Sequence, residues 1–116
     1  MTLSTHVLDA TTGRPAAGLQ IRLERAGQEG WVPAGAGTTG PDGRLRLPGD
    51  TVLPGDTVLP CGVYRITFGT GAYFTARGTA TFYPEVSVTV AMTEPDEHYH
   101  VPLLLSPFAY STYRGS

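Results

Sequence analysis

The chain has no lysine, no asparagine and a single cysteine in 116 residues, and all eight of its basic residues are arginine. Lysine and asparagine use AT-rich codons, so their absence reads as a GC-rich coding sequence rather than as a functional choice. Cys61 has no partner for an internal disulfide, so the fold does not depend on an oxidising compartment. Charge is scarce, with a net value of −2, and this removes the electrostatic case for a nucleic acid or an anionic membrane. No apolar run approaches membrane-spanning length, and Met1-Thr2-Leu3-Ser4-Thr5-His6 has neither a basic nor an apolar leader region. The expectation is a soluble, cytoplasmic protein.

What the chain has in abundance is glycine (15) and proline (10). Together they leave little room for long helices and suit many short strands separated by turns. The length fits one domain, residues 1–116, with a modest core. Leu3 to Asp9 alternates as a strand, with Leu3, Thr5 and Val7 on one face and Ser4, His6 and Leu8 on the other. Leu19 to Arg25 follows as a second strand, with Leu19, Ile21 and Leu23 inward, and Trp31-Val32 begins a short third. Gly35 to Gly43 reads as turn, and Pro41-Asp42-Gly43 signals a hairpin into Arg44-Leu45-Arg46-Leu47. Gly49 to Pro54 is repeated at once as Gly55 to Pro60. Two copies are too few for a solenoid, so the repeat reads as a duplication in a tolerant loop. Val63 to Phe68 and Val86 to Met92 are strands, and Tyr73 to Arg77 is a candidate short helix. About eight short strands argue an all-β sandwich or small barrel.

The last nineteen residues hold the densest chemistry. Ser106-Pro107 divides them into two strands, because proline removes a ladder donor and suits a turn. On the first strand His98, His100 and Leu104 share one face, while Tyr99, Val101, Leu103 and Leu105 share the core face. Two imidazoles at i and i+2 stand about 6.5–7 Å apart along a strand. They fit three readings: a zinc site with His6 as third ligand, inert surface histidines, or acid–base chemistry near neutral pH. Arg44, after its tight turn, is either a solvated edge residue or a planar fork for a carbonyl or an anionic heterocycle. Ser106, Ser111 and Ser116 lack a Gly-x-Ser-x-Gly elbow, which argues against a serine hydrolase.

Five stretches together carry a resemblance: Leu3-Ser4-Thr5-His6-Val7-Leu8-Asp9 with Gly13-Arg14-Pro15-Ala16, Asp42-Gly43-Arg44, Phe82-Tyr83-Pro84-Glu85, and the tail from His98 through Tyr113-Arg114-Gly115-Ser116. In this order they resemble the 5-hydroxyisourate hydrolases, the transthyretin-related family of urate breakdown, over Leu3 to Ser116. The resemblance implies a transthyretin-like antiparallel β-sandwich of about eight strands with one short helix. It further implies a homotetramer with active sites at the dimer–dimer interface, a small-molecule substrate and no cofactor or metal. Catalytic roles fall on His6, Arg44, His100 and Ser116, and substrate contacts on His6, Arg44, Tyr113 and His98. The hormone-carrying transthyretins share the fold but replace these positions. Two departures stand out: the segment between Arg44 and Tyr64 is about one hexapeptide longer than the family norm, and Ala109 stands where glycine is common. The alternatives are a transthyretin-type carrier without catalysis and a structural β-sandwich.

Overall fold

Strict alternation governs Thr2–Asp9 (β1), where Leu3, Thr5, Val7 and Asp9 are buried and the residues between them are half-buried. The computed structural model describes residues 1–49 and 59–116. The two buried polar groups of β1 have partners, as burial requires. The Thr5 hydroxyl donates to the Val101 carbonyl at 2.7 Å, and the Asp9 carboxylate accepts from Thr11 N–H and Tyr73 O–H at 2.9 Å each.

Among the described residues nine strands and one helix run in chain order. After β1 come Arg14–Pro15 (β2), Gln20–Gly27 (β3), Gly30–Thr38 (β4), Arg44–Leu47 (β5), Gly62–Phe68 (β6), the helix Thr70–Thr75 (α1), Val86–Met92 (β7), His98–Leu105 (β8) and Tyr110–Thr112 (β9). One sheet runs β2-β1-β8-β9, with β5 also paired to β1; the other runs β4-β3-β6-β7. Every pairing is antiparallel except β1 with β8. Inward residues of the two sheets meet in one core, with Leu3, Val7, Leu103 and Leu105 facing Ile21, Leu23, Tyr64, Ile66 and Phe68. Each such side chain stabilises the fold by roughly 1.5–3 kcal/mol when fully buried.

Three local expectations are corrected. The strand beginning at Trp31 continues through Gly35 and Gly37 to Thr38, where a turn was expected. Those glycines answer a packing demand. A Cβ on Gly35 would stand 2.6 Å from the Pro48 carbonyl oxygen, and one on Gly37 would stand 2.9 Å from Leu45 Cδ1. Pro41-Asp42-Gly43 does turn the chain, yet it joins no hairpin, because β4 and β5 belong to different sheets. Gly43 takes φ +75°, and a Cβ there would run into the Val7 carbonyl oxygen. The helix starts at Thr70 rather than Tyr73. Gly71 lies in its first turn because the Pro84 backbone passes too close for a side chain, 2.5 Å from an added Cβ. Six residues do not sustain a helix alone; buried Tyr73 and Phe74 anchor this one. The duplicated hexapeptide lies outside the described residues except for Gly49, Leu59 and Pro60.

Candidate active site

The same alternation that sends Leu3, Thr5 and Val7 into the core sends Thr2, Ser4 and His6 to the opposite face of β1. β5 and β8 flank that strand and lend their own outward residues. Register sets His6 opposite Arg44, and Ser4 opposite both Arg46 on one side and His100 on the other. Thr2 pairs with His98 in the same ladder. Side chains directly opposite on one sheet face are within reach of each other. Imidazole, guanidinium and hydroxyl groups from three strands therefore gather on one surface.

Hydrogen bonds join these groups. The Ser4 hydroxyl oxygen lies 2.8 Å from Nε2 of His98 and 2.9 Å from Nδ1 of His100. Nδ1 of His98 is bonded in turn to the Thr2 hydroxyl. On its far side His100 meets the tail, where Gly115 N–H donates to the His100 carbonyl at 2.8 Å. Only glycine fits there, since a Cβ would stand 2.5 Å from His100 Cδ2. The Arg44 backbone is set by its N–H donating to the Asp42 carboxylate at 3.1 Å, an Asx-type turn.

These residues border an open depression of about 680 Å³, lined by Ser4, Arg44, Arg46, His98, His100 and Ser116, with Asp42 its one acidic side chain. Burial holds the His100 pKa below the usual histidine value, and the positive fields of Arg44, His6 and His98 push it the same way, against a hydrogen bond to the Ser4 backbone. A neutral imidazole beside a guanidinium is equipped to take a proton from water while the arginine binds a carbonyl or an anion. Among the described residues no three His, Cys, Asp or Glu side chains come together as a metal ligand set.

Of the residues singled out from the sequence, Arg44, His98, His100 and Ser116 meet in the depression, and His6 stands beside Arg44 on the same face. Tyr113 does not join them. It is 59% exposed and borders a separate crevice between β7 and β8, next to Val88, Val90, Tyr99 and Val101. Arg114 turns away from the depression as well, paired with Glu97 and stacked 4.7 Å over the Tyr99 ring. Sequence reasoning missed Ser4 and Arg46. Both stand two residues from a histidine or arginine it did select, so strand alternation alone would have found them. Gly115 had no comparable signal.

Comparison with known proteins points one way. A family model described as the HIUase/Transthyretin family matches residues 3–115. The 5-hydroxyisourate hydrolase of Salmonella typhimurium is 45% identical over 122 residues, covering 98% of this chain and 80% of that protein. The mouse 5-hydroxyisourate hydrolase is 44% identical over 116 residues, covering 98% and 94%. Among solved structures, 5-hydroxyisourate hydrolase of Klebsiella pneumoniae matches with a TM-score of 0.80 at 34% identity, covering all of both chains. Sea bream transthyretin in complex with thyroxine matches with a TM-score of 0.83 at 32% identity, covering 97% and 93%.

Proposed function

This chain belongs to the HIUase/transthyretin family, and from that premise we propose that it hydrolyses 5-hydroxyisourate in urate breakdown, residues 1–116 forming one catalytic domain. The family contains hydrolases and a hormone carrier, so the choice rests on the site. A carrier of an aromatic hormone calls for an apolar lining. The depression here is lined instead by two guanidiniums, two imidazoles, three hydroxyl residues and the Asp42 carboxylate, with Leu45 its one apolar side chain, which suits a small, flat, polar, oxidised purine. That lining is the observation that carries the proposal.

In the proposed reaction Arg44 binds the heterocycle in its plane and stabilises charge developing on the carbonyl oxygen. His100, whose pKa its surroundings hold below the usual histidine value, accepts a proton as water adds to the ring carbonyl carbon. The C–N bond of the six-membered ring then breaks, and the departing nitrogen takes the proton back. The product is 2-oxo-4-hydroxy-4-carboxy-5-ureidoimidazoline. His6 holds or relays beside Arg44, Ser116 orients the water, and His98 contacts substrate at the edge of the site. Tyr113 reaches a substrate only across a subunit boundary in this scheme. That agrees with a homotetramer whose sites lie between dimers. Leu104, Phe108, Tyr110 and Tyr113 are each exposed at or after β8. No helix among the described residues is long and apolar enough to cross a membrane; a cytoplasmic location belongs to the proposal.

The test is the decay of freshly generated 5-hydroxyisourate with and without the protein. Wild type accelerates it, while His6→Ala, Arg44→Ala and His100→Ala each lose about 10²–10⁴-fold, the usual range for acid–base and charge-stabilising groups. A protein that leaves the decay unchanged while binding a small aromatic ligand would make the carrier reading the better one. Native mass measurement checks the tetramer.

A further inference from the structure

We propose that Ser4 is a positioning residue: its hydroxyl ties His98 and His100 into one hydrogen-bonded chain that decides which nitrogen of His100 carries the proton. The inference rests on the hydrolase reading and adds to it a group on the wall of the depression that acts through His100. A serine hydroxyl has one hydrogen to give. With a ring nitrogen on each side, at 2.8 and 2.9 Å, it donates to one imidazole and accepts from the other whenever its hydrogen stays within the chain. The Thr2 hydroxyl on the far nitrogen of His98 extends the chain by one member, and two orders run through it in a single direction.

In the first order Thr2 donates to His98, His98 donates to Ser4 and Ser4 donates to Nδ1 of His100. The His100 proton then sits on Nε2, and the ring has no lone pair to offer as a base. In the second order each bond is reversed. Nδ1–H of His100 donates to Ser4, Ser4 donates to Nε2 of His98, and His98 donates to Thr2. Nε2 of His100 is then bare. That order also survives catalysis, since protonating Nε2 leaves the Nδ1–H bond to Ser4 unbroken.

The other charged and titratable groups facing His100 are His6 on β1, Arg44 and Arg46 on β5, and Asp42 in the turn before β5. None of these is hydrogen-bonded to Nδ1, which belongs to Ser4.

The experiment compares wild type, Ser4→Ala and Ser4→Thr on 5-hydroxyisourate, with ¹⁵N-imidazole spectra of the same proteins. Ser4→Ala is expected to lower kcat about tenfold, the loss of one hydrogen bond to a reacting group, with a smaller change in KM. Ser4→Thr keeps the hydroxyl and restores the rate. The spectra show His100 protonated at Nδ1 in wild type and divided between tautomers in Ser4→Ala. Two results would overturn the proposal: a Ser4→Thr variant as impaired as Ser4→Ala, or the same His100 tautomer with and without the hydroxyl. Inactivity of wild type would instead sink the hydrolase reading, and the tautomer spectra would still decide the role of Ser4.

Discussion

Substituting Gly115 by alanine isolates what the tail does for His100. The added methyl would stand 2.5 Å from Cδ2 and 3.2 Å from Cγ of the imidazole, and 3.3 Å from Cγ of Pro102. Carbon atoms rest at about 3.5–4.0 Å, so relief takes a displacement of about 1 Å. Pro102 is buried and its ring is closed, and His100 is held on its other side by Ser4. The exposed tail is what yields. It gives up the 2.8 Å bond from Gly115 N–H to the His100 carbonyl, worth about 1 kcal/mol net, and carries Ser116 out of the depression. Because the tail moves freely outward, the cost to folding stays near that 1 kcal/mol, a fall in Tm of roughly 4 °C for a domain of this size. The cost to turnover is larger, about 100-fold, because misplacing a reacting constellation by 1 Å costs about that much. Initial rates on 5-hydroxyisourate and thermal melts followed by circular dichroism measure both, with deletion of Arg114-Gly115-Ser116 expected to match the alanine variant in rate. Turnover within about threefold of wild type in Gly115→Ala would refute the reasoning, as would a melting point that falls in step with activity.

Two further outcomes follow from groups already described. Tyr73→Phe removes the hydroxyl that donates to the buried Asp9 carboxylate and should destabilise the protein by about 1–3 kcal/mol in urea titrations, with turnover within about twofold of wild type. Burial first, and the positive charges of Arg44, His6 and His98 next, lower the folded-state pKa of His100, so the unfolded chain binds its proton more readily than the folded one. Its contribution to stability is therefore complete above the ordinary histidine value near 6.5 and is lost as pH falls through the lowered one. Wild type should lose more of its urea midpoint between pH 7.5 and pH 5 than His100→Gln does.

Most of the sandwich is legible in strand alternation, because a half-buried strand writes its two faces into its spelling. Leu3, Thr5 and Val7 against Ser4 and His6, and Tyr99, Val101 and Leu103 against His98 and His100, fall where the period of two sends them. What alternation does not carry is which strand lies beside which. Nothing local announces that β5 leaves its neighbour β4 to pair with β1, or that β8 runs parallel to β1. Glycine misled for a related reason. At Gly35 and Gly37 it marks another backbone or side chain passing close by, a fact about distant residues that reads locally as a turn. The site was legible as a set of residue types, and the resemblance supplied their roles. Its wiring through Ser4 and its clamp at Gly115 depend on register across chains of hydrogen bonds, and Tyr113 depends on the twist of the tail.

The parallel pairing of β1 with β8 also bears on how the protein comes into being. Ser4 and His100 are separated by 96 positions, and the contact between them closes nearly the longest loop this chain can make. Such closures are slow, because the entropy of gathering distant segments is lost before any contact compensates. A nascent chain can assemble the sheet built on β3, β6 and β7 while β1 still waits for its neighbour. The proposed site is assembled only once β8 has joined β1, because that pairing brings His98 and His100 to Ser4.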